Sequence, residues 1–480
     1  MLITPECDAR ARSDTPYPFV TMYHEHRRRL LEALRNARAA AVIPTAAHKV
    51  RNHDSEYRYR PDSDFWYLTG FDEPDCVLVM LPALHSPTSV AGASANAKDG
   101  RAPAPRPEVI LYLRDKDRER EIWTGRRLGV AAAARELNVD EARPIESLWS
   151  DLPKLLENYE RIVYRTGIDE ARDRRMLETI TKLRWAARGT VVPPAELLDV
   201  APFTHELRLK KSAAEIETMR RAARVSREAH VLAMREARPG RRENEIDALI
   251  EYTFRRLGST GPAYTNIVAG GANACILHYV ENDEPLRDGD LVLIDAGAEW
   301  DYYASDVTRT FPVNGTFGAE QRALYEIVLE AQMRAIEHVT PGVSFVSVHE
   351  RALEVLCNGL VRLGLLAGTA REAIEKETYK RFYMHRTSHW LGLDVHDCGA
   401  YVHDGRSRTL EPGMVLTVEP GLYVAEDDDT VEERWRGIGI RIEDDVLVTA
   451  GGHDVLTAGI PKTIDEVEAA CRGRALEHSM

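Results

Sequence analysis

The chain has 480 residues, 44% hydrophobic and 29% charged, a balance that excludes wholesale disorder and exceeds what one ordinary core holds. Its 63 basic and 77 acidic residues leave a net charge of −14, which argues against nucleic acid as a partner and for a soluble chain with acidic sites. No apolar run approaches a membrane span, Met1-Leu-Ile-Thr-Pro-Glu-Cys-Asp8 lacks a signal peptide's order, and scattered cysteines predict reduced thiols in the cytoplasm and no thiolate zinc site.

Residues 21–38 read as a helix with Leu30, Leu31 and Leu34 on one face, and Ala40–Ile43 as a strand. Residues 51–71 are too polar for a core element and too aromatic for an idle loop. Their Tyr57, Tyr59, Phe65, Trp66 and Tyr67 fit packing and interface roles better than catalysis. Strands at Val77–Leu81 and Val109–Leu113 flank residues 82–107, rich in Pro, Ala, Ser and Gly and expected as a surface insertion. Two amphipathic helices, a strand at Arg161–Arg165 and a helix near 169–188 complete an α/β layer pattern. Prolines in Thr190–Ala195 and at Pro202 mark a linker. The expected domains are therefore 1–202 and 203–480.

The second half opens with Ser212-Ala-Ala-Glu215, a capping-box spacing that heads a long helix ending at Pro239-Gly240. Further helices are expected near 244–257, 319–339 and 347–363, in an α+β pattern. Two look-alike segments stand out among them. The first is Asp288-Gly-Asp-Leu-Val-Leu-Ile-Asp295-Ala-Gly297, the second Pro412-Gly-Met-Val-Leu-Thr-Val-Glu419-Pro-Gly421. In each, a carboxylate follows a turn glycine by six residues, and another glycine comes two residues later. Each leads into a further apolar strand with its own acid, Asp306 in Ser305–Phe311 and Glu443 in Gly439–Val446. A lone buried carboxylate costs roughly several kcal/mol unless a cation accompanies it. Two repeats contributing two acids each point to a duplicated β-unit that turns four acids toward one centre, with a pair of metal ions as the fitting partner.

Strand periodicity puts Gly439, Arg441 and Glu443 on one face, and Asp306, Thr308 and Thr310 on one face of the other return strand. Asp295 and Asp306 are eleven apart, a spacing that an antiparallel hairpin could close side by side. Histidine supplies the other ligand candidates: His385, His389 and His396 in Met384–Asp397, and His278 after the glycine-rich Val268–Gly271. His385 and His389 have zincin spacing, but Arg386 stands where that motif needs glutamate. There is no G-x-S-x-G elbow, phosphate loop or dinucleotide fingerprint. Singly, His278 and His385 read more often as structural histidines, Arg441 reads equally well as a structural partner of Glu443, and Glu426–Asp429 reads as a solvated loop rather than an ion site.

Along nearly its whole length the sequence resembles aminopeptidase P, the Xaa-Pro aminopeptidase branch of the pita-bread metallopeptidases. The resemblance rests on Leu291–Gly297 with Ser305–Pro312, Ser388–Asp397, Val415–Tyr423 and Gly437–Asp445, and, for an accessory domain, on Arg51–Phe71 with Glu73-Pro74. It implies an α/β N-terminal domain followed by an α+β pita-bread catalytic domain. It also implies two divalent ions, usually manganese with zinc, cobalt or iron as alternatives, held by Asp295, Asp306, His389, Glu419 and Glu443, with Asp306 and Glu443 bridging. His278, His385, His396 and Arg441 match the positions that support the ions or touch substrate, and Glu419 doubles as proton shuttle. The implied reaction is attack by a metal-held hydroxide on the bond between an N-terminal residue and a following proline. Peptides with proline second are the expected substrates, with neither nucleic acid nor membrane as partner and a homodimer or homotetramer as the assembly. Trp123 resembles a position that in relatives can reach a neighbouring subunit. A prolidase, which takes only dipeptides, and a catalytically dead peptide-binding relative are the alternatives. One departure stands out: where relatives have His-Gly-Leu-Ser-His or His-Gly-x-Gly-His, this chain has His385-Arg-Thr-Ser-His389, and arginine lacks glycine's backbone freedom.

Overall fold

The computed structural model describes residues 18–84, 106–187 and 191–473. They form two compact units that divide between Leu207 and Arg208. Most of the expected insertion at 82–107, residues 188–190 and the first seventeen residues lie outside the described residues.

The first unit is built on a six-stranded mixed sheet. Its order is Glu141–Pro144, Val109–Leu113, Val77–Met80, Ala39–Pro44, Arg161–Val163, Glu196–Leu198. The central strands are buried along their whole length, so they read as unbroken apolar runs rather than alternations. Two expectations fail here. Residues 51–71 are not too polar for a core element throughout: Ser63–Thr69 is a helix in which every residue is buried, and its Phe65, Trp66 and Tyr67 pack as expected. Its acid and its C-terminal threonine, and the acid that caps it, are tolerated because they are partnered. Asp62 caps it by accepting from the Phe65 amide at 3.0 Å, Thr69 donates to the Phe65 carbonyl at 2.8 Å, and Asp64 pairs with Arg165 at 3.0 Å. Tyr57, by contrast, is exposed rather than packed. The proline-marked linker is also shorter than expected. Glu196–Leu198 joins the sheet beside Arg161–Val163, and Ala201-Pro202 opens the helix Ala201–Leu209, where a first-turn proline forfeits no helical hydrogen bond.

The second unit begins its long helix, Ala213–Glu236, with the expected reciprocal cap. Ser212 accepts from the Glu215 amide, and Glu215 accepts from the Ser212 amide at 2.8 Å. Helices Glu243–Arg256, Ala319–His338 and Phe345–Arg362 share one apolar core with the two carboxylate-bearing hairpins.

Each hairpin is long, straight in register and jointed at its acid. In the first, Leu291–Asp295 pairs with Thr308–Pro312, and beyond the joint Ala298–Trp300 pairs with Tyr303–Ala304. Asp301 and Tyr302 turn the tip with left-handed φ values of 46° and 65°, the signature of a tight two-residue turn. In the second, Val415–Val418 pairs with the strand Asp444–Thr449 and Gly421–Val424 with Ile438–Arg441. Because Val418 faces Asp444 and Gly421 faces Arg441, the unpaired joint sets Glu419 opposite Glu443. The first hairpin differs: Asp295 faces Thr308, not Asp306, so the expected side-by-side placement of its two acids is incorrect. Asp306 lies two residues further along the same face, opposite Gly297, because the strands continue past the joint before they turn. Both joints carry a glycine for steric reasons. A Cβ on Gly297 would sit 1.7 Å from the Ser305 carbonyl oxygen, and one on Gly421 would sit 2.9 Å from that of Ile440.

The return strands of the two hairpins then lie against each other. The Glu443 amide donates to the Thr308 carbonyl at 3.1 Å, and the Thr310 hydroxyl to the Arg441 carbonyl at 3.0 Å. Arg309, wholly buried, ties the seam by donating to the carbonyls of Thr308 and Glu443 and to the Asp444 carboxylate. Replacing Gly297 by alanine is therefore expected to lower stability by about 3 kcal/mol or more. The same change at Gly451, where an added Cβ meets nothing within 4 Å, is expected to leave the melting temperature unchanged. Thermal denaturation of G297A and G451A checks the contrast.

Candidate metal centre

The joints and the seam bring together side chains that are far apart in the chain. Ligand atoms of Asp306, His389 and Glu443 all lie within 4.8 Å of one another. His389 Nε2 is 3.3 Å from Asp306 and 3.5 Å from Glu419. Asp295 completes the ring of acids, with Arg441 donating to it at 2.7 Å and Tyr264 at 2.6 Å. All five residues singled out as ligands in the sequence thus border one buried centre.

His389 is set by its backbone. Its amide donates to Thr417, and its Nδ1 lies 3.0 Å from the Trp390 carbonyl oxygen. Nδ1 therefore carries the proton of the neutral ring, and Nε2 faces the carboxylates.

Electrostatics mark the same spot. Burial, aided by Asp306, Glu419 and Asp295, pushes the Glu443 carboxyl well above its ordinary range. Burial lifts Glu419 to about 7 against the opposing pull of His389 and Arg441, and raises Asp295 despite Arg441. His389 is drawn down by burial, but the Asp306 contact and the Glu419 charge outweigh this and raise it to about 9. Four acids crowded out of water repel one another, and one arginine and one histidine offset only part of that charge. Their oxygen-rich set with a single imidazole, tautomer already chosen, fits divalent cations.

The other predicted residues form a collar. Arg441 donates to Asp295, to the Thr308 hydroxyl at 3.0 Å and to the Tyr423 hydroxyl at 3.0 Å, while Thr308 donates to Glu443 at 2.7 Å. Arg441 thus serves both acids, beyond the simple Glu443 partner that its strand position suggests. His385 Nε2 is 2.9 Å from the Tyr423 hydroxyl, and its Nδ1 is 3.8 Å from Glu419. The ring of His396 packs edge-on against His389, with centroids 4.5 Å apart. Burial holds His385 down at about 3 and lowers His396, so both are neutral near pH 7. His278 is exposed, close enough for its charge to act on both His385 and His396.

Sequence reasoning missed Tyr264, Tyr423 and Asp445. Tyr423 was within reach, since Glu419, Gly421 and Tyr423 alternate onto one strand face. Tyr264 carried no such signal. It sits between Gly261–Pro262, which pairs with Ala298–Glu299, and Ile267–Gly270, which pairs with Leu291–Asp295, so only the folded joint aims its hydroxyl at Asp295. Asp445 accepts from the Asp306 amide at 3.2 Å, which fixes the backbone that carries that acid.

The Arg386-Thr387 departure is absorbed without strain. Arg386 does not occupy the positive-φ region, and its side chain is exposed. Thr387 is buried, and its hydroxyl lies 2.8 Å from His349 Nδ1 and 2.6 Å from the Tyr383 hydroxyl. Its carbonyl accepts from the Glu419 amide at 2.8 Å, so the altered loop still holds the second hairpin's first acid. The acidic run Glu426–Asp429 is a solvated loop, as expected, with Asp428 paired to Arg381.

Residues 217–450 match the model of metallopeptidase family M24, and residues 23–164 match that of the aminopeptidase P N-terminal domain. The chain is 44% identical to a Xaa-Pro aminopeptidase of Haemophilus influenzae over 92% of its own length and 96% of that protein's. To the Escherichia coli Xaa-Pro aminopeptidase it is 43% identical, over 93% and 96%. Among solved structures, aminopeptidase PepP from Pseudomonas aeruginosa superposes with a TM-score of 0.88 at 47% identity, covering 95% of this chain and 98% of that one. Centre, joints and comparisons agree that the chain belongs to metallopeptidase family M24, in the branch that carries the aminopeptidase P N-terminal domain.

Proposed function

We propose that the protein is a dinuclear manganese aminopeptidase that removes one N-terminal residue standing before proline. The reading is carried by the convergence of the Asp306, His389 and Glu443 ligand atoms within 4.8 Å, beside Asp295 and Glu419. The names of the relatives support the aminopeptidase over the dipeptidase alternative, and the complete donor set argues against a dead binder. Four carboxylates and one imidazole suit Mn2+ ahead of Zn2+, Co2+ or Fe2+. The accessory domain is taken as 1–202 and the catalytic domain as 203–480. No helix among the described residues is long and apolar enough to cross a membrane, in keeping with work in the cytoplasm. Ile122 and Trp123, 78% and 87% exposed, support assembly as a homodimer or homotetramer.

Asp295, Asp306, His389, Glu419 and Glu443 would hold the ions. When bound, the ions supply positive charge that lowers the pKa of water and polarises the scissile carbonyl. Arg441, Tyr264 and Thr308 fix the rotamers of the acids, so that their oxygens need not reorganise during reaction. Glu419 takes a proton from the attacking water and delivers it to the proline nitrogen, a tertiary amide nitrogen that cannot leave unprotonated. His278 and His396 hold the carbonyl oxygen as charge develops on it, and the surplus of acids favours the substrate's free ammonium group.

An X-Pro-Y peptide incubated with manganese-loaded enzyme should release X, and X-Pro-Y-Z should be preferred to X-Pro. Release from the dipeptide alone overturns the assignment. Glu419→Gln should lower kcat roughly 100-fold or more, and manganese content measured alongside separates proton transfer from metal loss.

Metal and proton should also compete. Glu419, raised to about 7 when folded, releases its proton at lower pH when unfolded, so the metal-free protein loses stability as pH rises through that window. Bound cations relieve the same repulsion. The melting-temperature gain from Mn2+ over chelator-stripped protein should therefore be larger at about pH 8 than at about pH 5.5. Equal gains at both would contradict proton displacement.

A further inference from the structure

Glu243 is a fully buried carboxylate whose donors are all neutral and come from four points of one stretch of chain. One oxygen accepts from the Gly270 amide at 2.7 Å and the Asn273 side-chain amide at 3.0 Å. The other accepts from the Tyr279 hydroxyl at 2.8 Å and the Glu284 amide at 2.8 Å. The Glu243 amide in turn donates to the Glu284 carbonyl at 3.0 Å. A single residue at the start of helix Glu243–Arg256 thus closes both ends of the segment 270–284 and pins its middle.

His278 projects from that segment. Tyr279 is buried and turned toward Glu243, while His278 beside it is exposed and acts on His385 and His396. The stretch from Ile276 to Glu284 has no helix and no strand to hold it. Its shape rests on side-chain hydrogen bonds, chiefly those to Glu243, with Asn282 adding a clamp through the Val268 amide and the Asn266 carbonyl. A charged acceptor makes each such bond stronger than a neutral one would.

We propose that Glu243 is a positioning residue that sets His278 against the substrate, acting through the backbone of 270–284. The inference rests on the reading of His278 as a substrate-contacting group. Glutamine at 243 keeps the shape but turns one acceptor into a donor, which opposes either the Gly270 and Asn273 pair or the Tyr279 and Glu284 pair.

The test is a double-mutant cycle with manganese-loaded enzyme and an X-Pro-Y peptide. Glu243→Gln should lower kcat/KM roughly ten- to a hundredfold, His278→Ala should lower it by a similar factor, and the double variant should be no worse than His278→Ala alone. Calorimetric titration of Mn2+ into stripped Glu243→Gln should match the native affinity, because the ligand-bearing joints do not touch Glu243. If Glu243→Gln does not fold, Tyr279→Phe, which removes one donor of the four, should give a smaller loss that is likewise absent in the His278→Ala background. Losses that multiply in the double variant, or a fall in Mn2+ affinity, overturn the role of Glu243 while leaving that of His278 intact. An unimpaired His278→Ala overturns both.

Discussion

Mutual repulsion among buried carboxylates is the constraint around which the second unit is arranged. Asp295, Asp306, Glu419 and Glu443 face one another out of water, and burial raises Asp295, Glu419 and Glu443 above the ordinary carboxylate range. Such crowding survives only if the surroundings hold each side chain in place and if positive charge can enter. The surroundings do the first through Arg441, Tyr264 and Thr308, each hydrogen-bonded to an acid. Divalent ions, required by the chemistry of the family, do the second.

The device that gathers the acids is the repeated joint. A strand that ended at the acid would leave it on a mobile loop. A strand that ran through without glycine would collide with its return partner, since a Cβ at Gly297 would lie far inside van der Waals contact of the Ser305 carbonyl oxygen. The acid-x-glycine joint lets each hairpin pass its acid inward and resume pairing in the same register. Glu419 and Glu443 then face each other across one joint, and the seam of return strands brings Asp306 beside Glu443.

Much of this was legible before the fold was known, because the repeat and the alternation are local properties of the chain. The capping box at Ser212, the paired Gly-x-acid runs and the shared face of Arg441 and Glu443 are short-range signals that tertiary packing preserves. What stayed hidden depends on long-range placement. Tyr264 meets Asp295 only because two flanking strands straddle a joint. Asp306 faces Gly297 rather than Asp295 because the hairpin runs on past its acid. Ser63–Thr69 looks too polar for a core element by composition, yet Asp62, Asp64 and Thr69 are each satisfied by partners that composition cannot reveal. Arg386 looked costly by analogy with glycine, and the backbone there never needed the left-handed region.

The two hairpin tips are unequal. The first closes in two left-handed residues, Asp301 and Tyr302, while the second opens into a longer run between Val424 and Ile438, largely exposed over 425–430 but anchored in the core by Val431 and Trp435. Both lie beyond the acids, and register on the near side is fixed by pairing that a longer tip does not disturb. Insertions can therefore accumulate around 425–430 over evolutionary time with every carboxylate left at its post, whereas a single residue added between Gly413 and Glu419 would turn that acid to the opposite face. The chain thus has one place where its length is free to drift and, a few residues away, one where it is not.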